Sequence, residues 1–145
     1  MVQEGSIKLK KTNMNIKIEF FQEDLIKAIG AGIYEISVHK NDKSKILYIG
    51  ESVFVLVRCA SHLYELSKNP GYFGFTEETI NDSSVTLKFR LLEKIDNKVL
   101  RKKREKELIK ENQPLSQSGI SDYQKSIEDK ISSLTSFLND SIDDI

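Results

Sequence analysis

The sequence predicts an α+β domain in which a small, mainly antiparallel three-stranded sheet is flanked by helices. Short stretches of alternating apolar residues, typical of strands, are interleaved with longer stretches that repeat every three to four residues, typical of helices. The 145 residues suffice for one domain with a real core but not for two. We expect residues 31–117 to form this domain, residues 1–30 an N-terminal extension, and residues 118–145 a C-terminal helix with an acidic tail.

The first part of the chain predicts a strand, a helix and then a hairpin. After about fourteen polar residues that suggest a loose arm, alternation over 16–20 predicts a strand, and 22–29 is helix-like up to Gly30. Residues 33–38 and 46–49 indicate two strands joined by a turn at Asn41 and Asp42.

Two helices and one strand are expected in the next part. Ser52 is a candidate N-cap for a helix that nothing interrupts before Pro70. Residues 85–91 alternate as a strand, and 99–112 predict a helix that ends before Pro114. The aromatic residues at positions 72, 73 and 75 either pin the intervening connection to the core, which we favour, or stack on splayed bases.

The C-terminal segment carries an apolar stripe on a polar background. Its members recur at three and four residues and predict an amphipathic helix: Tyr123, Ile127, Ile131, Leu134, Leu138 and Ile142. We favour packing of this helix on its own domain. The alternative is a homodimer or a partner protein bound through residues 122–142, because the spacing is close to a heptad repeat.

Composition indicates a cytoplasmic protein. No apolar run approaches the roughly 18 residues of a membrane span, and the N-terminus lacks the pattern of a secretory signal. Cys59 is the sole cysteine, which excludes a disulfide framework and a cysteine-based zinc site.

The zero net charge conceals a basic middle and an acidic tail. Residues 86–110 contain ten Lys or Arg against four Asp or Glu, whereas 111–145 contain two against seven. A local basic patch is what a nucleic-acid surface needs. Taken alone, however, the run 101–104 is better interpreted as a solvated helix face.

The strongest functional pattern combines two tripeptides with a following helix. Gly-Ile-Tyr at 32–34 and Tyr-Ile-Gly at 48–50 are separated by thirteen residues. A turn at Asn41 would place Tyr34 directly opposite Tyr48 on one face of the hairpin. A phenol is a poor base unless a cation or a second group helps it to lose its proton. A simple cross-strand aromatic pair is the alternative interpretation.

Arg58 and His62 lie four residues apart on the next predicted helix and therefore share a face. Arg58 offers a permanent charge and a planar set of donors for a phosphate. His62 can orient or relay a proton near neutral pH. Tyr64 lies near the same end of the helix and belongs either to the core or to the site.

Glu105 is the candidate metal ligand. It precedes Leu108 by three residues and Ile109 by four, so it borders the apolar side of its helix. One carboxylate is sufficient for Mg²⁺, which keeps most of its waters. Glu107 is the competing candidate, and both glutamates could instead pair with neighbouring Lys and Arg.

These motifs, in this order and at these distances, resemble the GIY-YIG nuclease family over residues 31–117. The resemblance implies a small antiparallel sheet flanked by helices and cleavage of DNA with a single divalent ion, Mg²⁺ or Mn²⁺. It implies that Tyr34 is the general base, that Tyr48 supports the nucleophile or the phosphate, and that Arg58 and His62 belong to the same site.

The segment 105–117 is similar to the excision-repair branch of that family. A glutamate precedes Leu-Ile-Lys by three residues and Pro114 follows, which favours Glu105 over Glu107 as the metal ligand. Where the family has an asparagine, this chain has Gln117, so activity is reduced or Asn112 takes its place. Lys45 is a further, weaker candidate as an assistant to the base.

The expected function is therefore a metal-dependent DNA endonuclease with catalytic residues Tyr34, Tyr48, Arg58, His62, Glu105 and Gln117. Two alternatives stay open at this point. One is a catalytically weakened DNA-binding module, suggested by Gln117 and the acidic tail. The other is an oligomerising scaffold that acts through the C-terminal helix.

Overall fold

A four-stranded mixed sheet organises the protein, whose computed structural model describes residues 14–117 and 125–140. The strands are β1 (Lys17–Phe20), β2 (Gly32–Lys40), β3 (Lys43–Ser52) and β4 (Val85–Lys94), in the spatial order β1-β4-β2-β3. The α+β class is confirmed, but the prediction of three strands is wrong. β1 pairs in parallel with β4 and so belongs to the sheet, whereas the other pairs are antiparallel.

Three α-helices accompany the sheet in the described part of the chain: α1 (Val55–Lys68), α2 (Lys98–Asn112) and α3 (Ile127–Asn139). Asn97 caps the start of α2 by accepting a hydrogen bond from the Leu100 N–H at 2.9 Å. α1 begins later than its sequence suggests, because the Ser52 hydroxyl accepts from the Phe54 N–H at 3.0 Å and shapes the preceding turn.

The predicted helix over 22–29 is wrong. This segment forms turns and ends in a single 3₁₀ turn at Lys27–Ile29. Phe21 has a left-handed backbone, with φ of 52°, which bends the chain sharply as β1 ends. The Asp24 carboxylate then accepts a hydrogen bond from the Leu91 N–H at 3.0 Å. That bond ties the segment to β4 where a regular helix was expected.

The β2–β3 hairpin turns at Asn41 and Asp42 as predicted, but its register differs. Tyr34 lies opposite Gly50, and Tyr48 lies opposite Ile36. The two-residue turn pairs Lys40 with Lys43 and moves the register by one residue, and a bulge moves it by one more, since Ile36 pairs with Tyr48 whereas Ser37 pairs with Ile46. The prediction that Tyr34 lies directly opposite Tyr48 is therefore wrong.

The two faces of the sheet are covered unequally. One face packs against α1, α3 and the connection after Pro70 to form the main core. The aromatic side chains Phe73 and Phe75 are buried in this core, as expected for a pinned connection. On the opposite face, Ile33 and Ile49 pack with α2 at one end of the strands.

Helix α3 packs on its own domain. Leu134 and Leu138 are buried in the main core. At the far end of the helix, the Lys43 ammonium donates to the carbonyl of Phe137 at 2.6 Å and that of Lys40 donates to the carbonyl of Leu138 at 3.3 Å. These cations satisfy carbonyls that have no partner within the helix. Positions 123 and 142 of the predicted stripe lie outside the described residues.

None of the helices within residues 14–117 and 125–140 has the length and apolar character that a membrane crossing requires.

Candidate active site

Tyr34 lies near the start of β2, directly opposite Gly50 on the neighbouring strand. The tyrosine is fully buried. A side chain at position 50 would collide with the Tyr34 phenol and approach the Tyr48 ring within 2.9 Å. At the other motif glycine, a Cβ on Gly32 would lie 2.5 Å from the carbonyl oxygen of Glu93. Gly50 thus makes room for the Tyr34 and Tyr48 rings, whereas Gly32 lets β2 lie close to β4.

His62 joins two tyrosines through its two ring nitrogens. Its Nε2 lies 2.8 Å from the Tyr34 hydroxyl, and its Nδ1 lies 2.8 Å from the Tyr72 hydroxyl. Burial, with added repulsion from Arg58 and Lys130, lowers the pKa of His62 to about 3. The imidazole is therefore neutral near pH 7, so it donates to one tyrosine and accepts from the other.

Tyr48 and Arg58 complete this face of the site. The ring centroid of Tyr48 lies 6.1 Å from that of Tyr34 and 4.8 Å from that of His62. Burial alone would lower the pKa of Arg58, but the phenols of Tyr34, Tyr48 and Tyr72 outweigh it and raise that pKa. A hydrogen bond to Tyr48 adds to the effect. Arg58 is exposed, so its guanidinium can meet an anion from solvent.

The Tyr34 phenol is set against losing its proton in the resting protein. Burial is the largest cause that raises its pKa well above the ordinary value, followed by Tyr48 and Cys59. Glu105 raises this pKa further, while Arg58 lowers it. Tyr34 is consequently protonated at neutral pH, and its ionisation requires a group that takes the proton.

Glu105 is the inward-facing glutamate of α2. Its residue is only 4% exposed, whereas the Glu107 side chain is 46% exposed and pairs with Arg104 at 3.1 Å. Within the described ranges, no three His, Cys, Asp or Glu side chains form a group that could hold a metal. Glu105 lies on α2, which packs on the face of the sheet opposite Tyr34, and its charge raises the pKa of the Tyr34 phenol. Its carboxylate oxygens are donors that suit Mg²⁺ or Mn²⁺ with retained waters.

Gln117 lies beside the motif but binds protein backbone. Its Oε1 accepts from the Ile49 N–H at 3.0 Å, and its Nε2 donates to the Ile49 carbonyl at 2.8 Å. The amide is buried and fixes the strand between Tyr48 and Gly50. Gln117 therefore positions the backbone of β3 next to Tyr48.

Two further candidates lie on the other side of the sheet. Asn112 is exposed, and its amide donates to the Leu108 carbonyl at 2.9 Å at the end of α2. Asn112 and Lys45 line a polar groove with His39, away from the face that carries Tyr34. The structure thus places neither of them with the paired tyrosines.

Tyr72 is a site residue that the sequence did not reveal. The sequence favours a core role for Tyr72, yet its hydroxyl forms a hydrogen bond with His62. Tyr64, the other tyrosine considered for the site, is 61% exposed. The turn that carries Tyr72 begins at Asn69, whose side-chain oxygen accepts from the Gly71 N–H at 2.9 Å. The sequence signal for this turn is the tripeptide Asn-Pro-Gly at 69–71, which ends the helix that carries His62.

The basic run at the start of α2 is largely neutralised. The Arg101 guanidinium donates to Glu51 at 2.6 Å, and the Lys102 ammonium donates to the same carboxylate at 2.8 Å. Arg104 pairs with Glu93 at 2.9 Å. Arg101 is only 5% exposed, so the interpretation of this run as a solvated helix face is wrong at that residue. The ion pairs leave Arg58 as the best placed cation for a phosphate at the site.

No protein-family model, curated protein or solved structure matches this chain.

Proposed function

We propose that the protein is a metal-dependent DNA endonuclease of the GIY-YIG kind. The observation that carries the proposal is the buried 2.8 Å hydrogen bond between the Tyr34 hydroxyl and Nε2 of His62. Tyr48 and Arg58 surround this bond, and the Glu105 carboxylate acts on the same phenol. The two tyrosines, His62 and Arg58 thus cluster on one face of the sheet, and Glu105 on α2 acts on Tyr34 through its charge.

In this proposal Tyr34 and His62 share the work of activating water. As Nε2 of His62 takes the Tyr34 proton, the imidazole gives up the proton on its other nitrogen and stays neutral, and the phenolate then takes a proton from the attacking water. Arg58 binds a non-bridging phosphate oxygen, where negative charge grows during in-line displacement. Tyr48, which is held by Arg58, orients the phosphate or the water.

Glu105 would hold a divalent ion through its carboxylate. Such an ion supplies Lewis-acid stabilisation of charge on the phosphate and the leaving oxygen. The burial of Glu105 and its influence on Tyr34 are the observations that support this assignment. The ion-paired, exposed Glu107 is a poorer ligand.

The test is nicking of supercoiled plasmid with Mg²⁺ or Mn²⁺. Tyr34→Phe and Glu105→Gln should each lower the nicking rate by about 100-fold or more, since each removes a group that acts on the reacting atoms. Tyr64→Phe and Glu107→Gln are matched controls that should retain the rate. Equal nicking by all four variants, or none by the wild type, would refute the assignment.

A DNA-binding module without cleavage is the second candidate. The complete burial of Tyr34 favours it, because a substrate must open the site to reach that phenol. This candidate predicts salt-sensitive DNA binding that metal does not convert into nicking. Binding measured by fluorescence anisotropy at several salt concentrations, beside the plasmid assay, separates the two candidates.

A further inference from the structure

Three side chains form one hydrogen-bonded row through the candidate site. Tyr34, His62 and Tyr72 are joined by two bonds of 2.8 Å each. Tyr34 and His62 are fully buried, whereas Tyr72 is half-buried. The row therefore runs from the inside of the protein to its edge, and Tyr72 is its outer member.

A neutral imidazole allows two directions for this row, and the burial of Tyr34 selects one of them. Only one ring nitrogen carries hydrogen, so one tyrosine must donate to His62 and the other must accept from it. Tyr34 is fully buried and its hydroxyl faces Nε2, so it donates there, because accepting instead would leave its own O–H buried without an acceptor. Nδ1–H then donates to the Tyr72 hydroxyl. Removing the Tyr72 hydroxyl would take away the acceptor of this buried N–H, which costs free energy.

Helix α3 holds Tyr72 in place. The Lys130 ammonium donates to the Tyr72 carbonyl at 2.8 Å and lies 5.2 Å from the centroid of its ring. Lys130 is itself only 5% exposed. The backbone at Gly74, where φ is 97°, packs so closely on the Lys130 carbonyl that an added Cβ would collide with it. The position of Tyr72 therefore depends on an element outside the motif region.

We propose that Tyr72 is a positioning residue that holds His62 in the Nδ1–H tautomer and gives its proton an outward route. This rests on the proposed function. As Tyr34 ionises, its proton moves to Nε2, the Nδ1 proton moves to the Tyr72 oxygen, and the Tyr72 hydroxyl proton moves to solvent. Tyr34 ends as phenolate, His62 as the Nε2–H tautomer and Tyr72 as phenol, with one proton released.

The first test is the tautomer of His62, measured by ¹⁵N NMR on the full-length protein without DNA. The wild type should show protonated Nδ1 and unprotonated Nε2. Tyr72→Phe should move the population toward Nε2–H, whereas Tyr64→Phe, the matched control on α1, should leave it unchanged. Lys130→Met keeps the Tyr72 hydroxyl but removes the hydrogen bond to the Tyr72 carbonyl, so it should shift the tautomer population toward Nε2–H by a smaller amount.

The second test separates the catalytic rate from substrate binding. Tyr72→Phe should lower kcat for plasmid nicking by about tenfold at unchanged KM, because the hydroxyl acts on proton transfer and not on DNA. A wild-type Nε2–H tautomer, or a tautomer and kcat unmoved by Tyr72→Phe, would overturn the proposal. A wild type that nicks nothing would instead remove the nuclease assignment, and the tautomer result would still decide how His62 is positioned.

Discussion

At the residue scale, the absence of a side chain at Gly50 determines where the Tyr34 phenol lies. The register places Gly50 directly opposite Tyr34, and the ring crosses the strand at that point. From there the hydroxyl reaches His62 on α1. Gly50 of the second tripeptide therefore leaves the space that the Tyr34 side chain of the first tripeptide occupies.

Gly50→Ala should displace the Tyr34 ring and lower nicking by about tenfold to 100-fold, since misplacing a catalytic group by a fraction of an ångström carries that cost. The plasmid assay gives the rate, and the His62 ¹⁵N spectrum reports the lost hydrogen bond. Gly30→Ala is the control, because its Cβ would meet only the mobile end of Lys94 at 3.2 Å. Equal activity of the two variants would contradict this account of Gly50.

The tyrosines, Arg58 and His62 could be predicted because spacing along strands and helices limits which side chains share a face. The His62–Tyr72 bond could not be predicted in the same way. It depends on the angle at which the chain leaves α1 after Asn69, and no periodicity encodes that angle. Fold-dependent contacts of this kind explain why Tyr72 was grouped with the core.

At the element scale, β3 is an edge strand whose outer side is paired by the segment after α2. The N–H groups of Leu115 and Ser116 donate to the carbonyls of Ile46 and Leu47 at 3.0 and 2.9 Å. Gln117 then continues this pairing with its side-chain amide, which binds both polar groups of Ile49. The edge that carries Tyr48 is thereby covered and held straight.

Gln117→Ala should lower the free energy of unfolding by about 2–3 kcal/mol, because two buried backbone groups of Ile49 lose their partners. Gln117→Asn should restore little of this, since its amide is one methylene shorter. Urea unfolding monitored by circular dichroism measures the change. Gln22→Ala, at an exposed position, is the matched control. If Gln117→Ala is as stable as this control, the two hydrogen bonds from Gln117 to Ile49 do not stabilise the protein.

The elements that the sequence misjudged share a physical cause. The hydrophobic pattern predicted the strands and α3 because burial on one face repeats with a fixed period, whereas Pro114 marked the end of α2. The register of the hairpin instead depends on the length of its turn and on one bulged residue, and the segment 22–29 depends on a single carboxylate that binds β4. Such local tertiary bonds leave no repeating signal in the sequence.

At the scale of the whole molecule, the fold keeps a titratable group neutral inside the core. Tyr34, Tyr48, Arg58, Tyr72 and the Lys130 side chain of α3 all surround His62 or act on it. None of these groups offers a negative charge at neutral pH. The folded protein therefore resists protonation of His62 at a pH where the unfolded chain accepts it.

Because the pKa of His62 falls from 6.5 unfolded to about 3 folded, the unfolded state binds the extra proton between these values. The free energy of unfolding should decrease as the pH falls through this window, by about 2 kcal/mol between about pH 6.5 and pH 4.5. His62→Gln should lack this dependence, so its stability deficit should shrink in acid.

Urea unfolding of the wild type and His62→Gln across this pH range tests the linkage. His39→Gln is the control, because burial also lowers the pKa of His39 but that side chain is far less enclosed. If the difference in the free energy of unfolding between wild type and His62→Gln stays constant with pH, the imidazole is not the cause of the pH dependence.

The anchoring of Tyr72 by Lys130 has a consequence for biosynthesis. Ribosomes build the chain from its N-terminus, so α3 emerges after every other described element. A nascent polypeptide that has exposed α1 but not α3 already contains both motif tyrosines, yet nothing secures the outer phenol on the imidazole. The hydrogen-bonded row of Tyr34, His62 and Tyr72 is thus secured only after α3 has been synthesised.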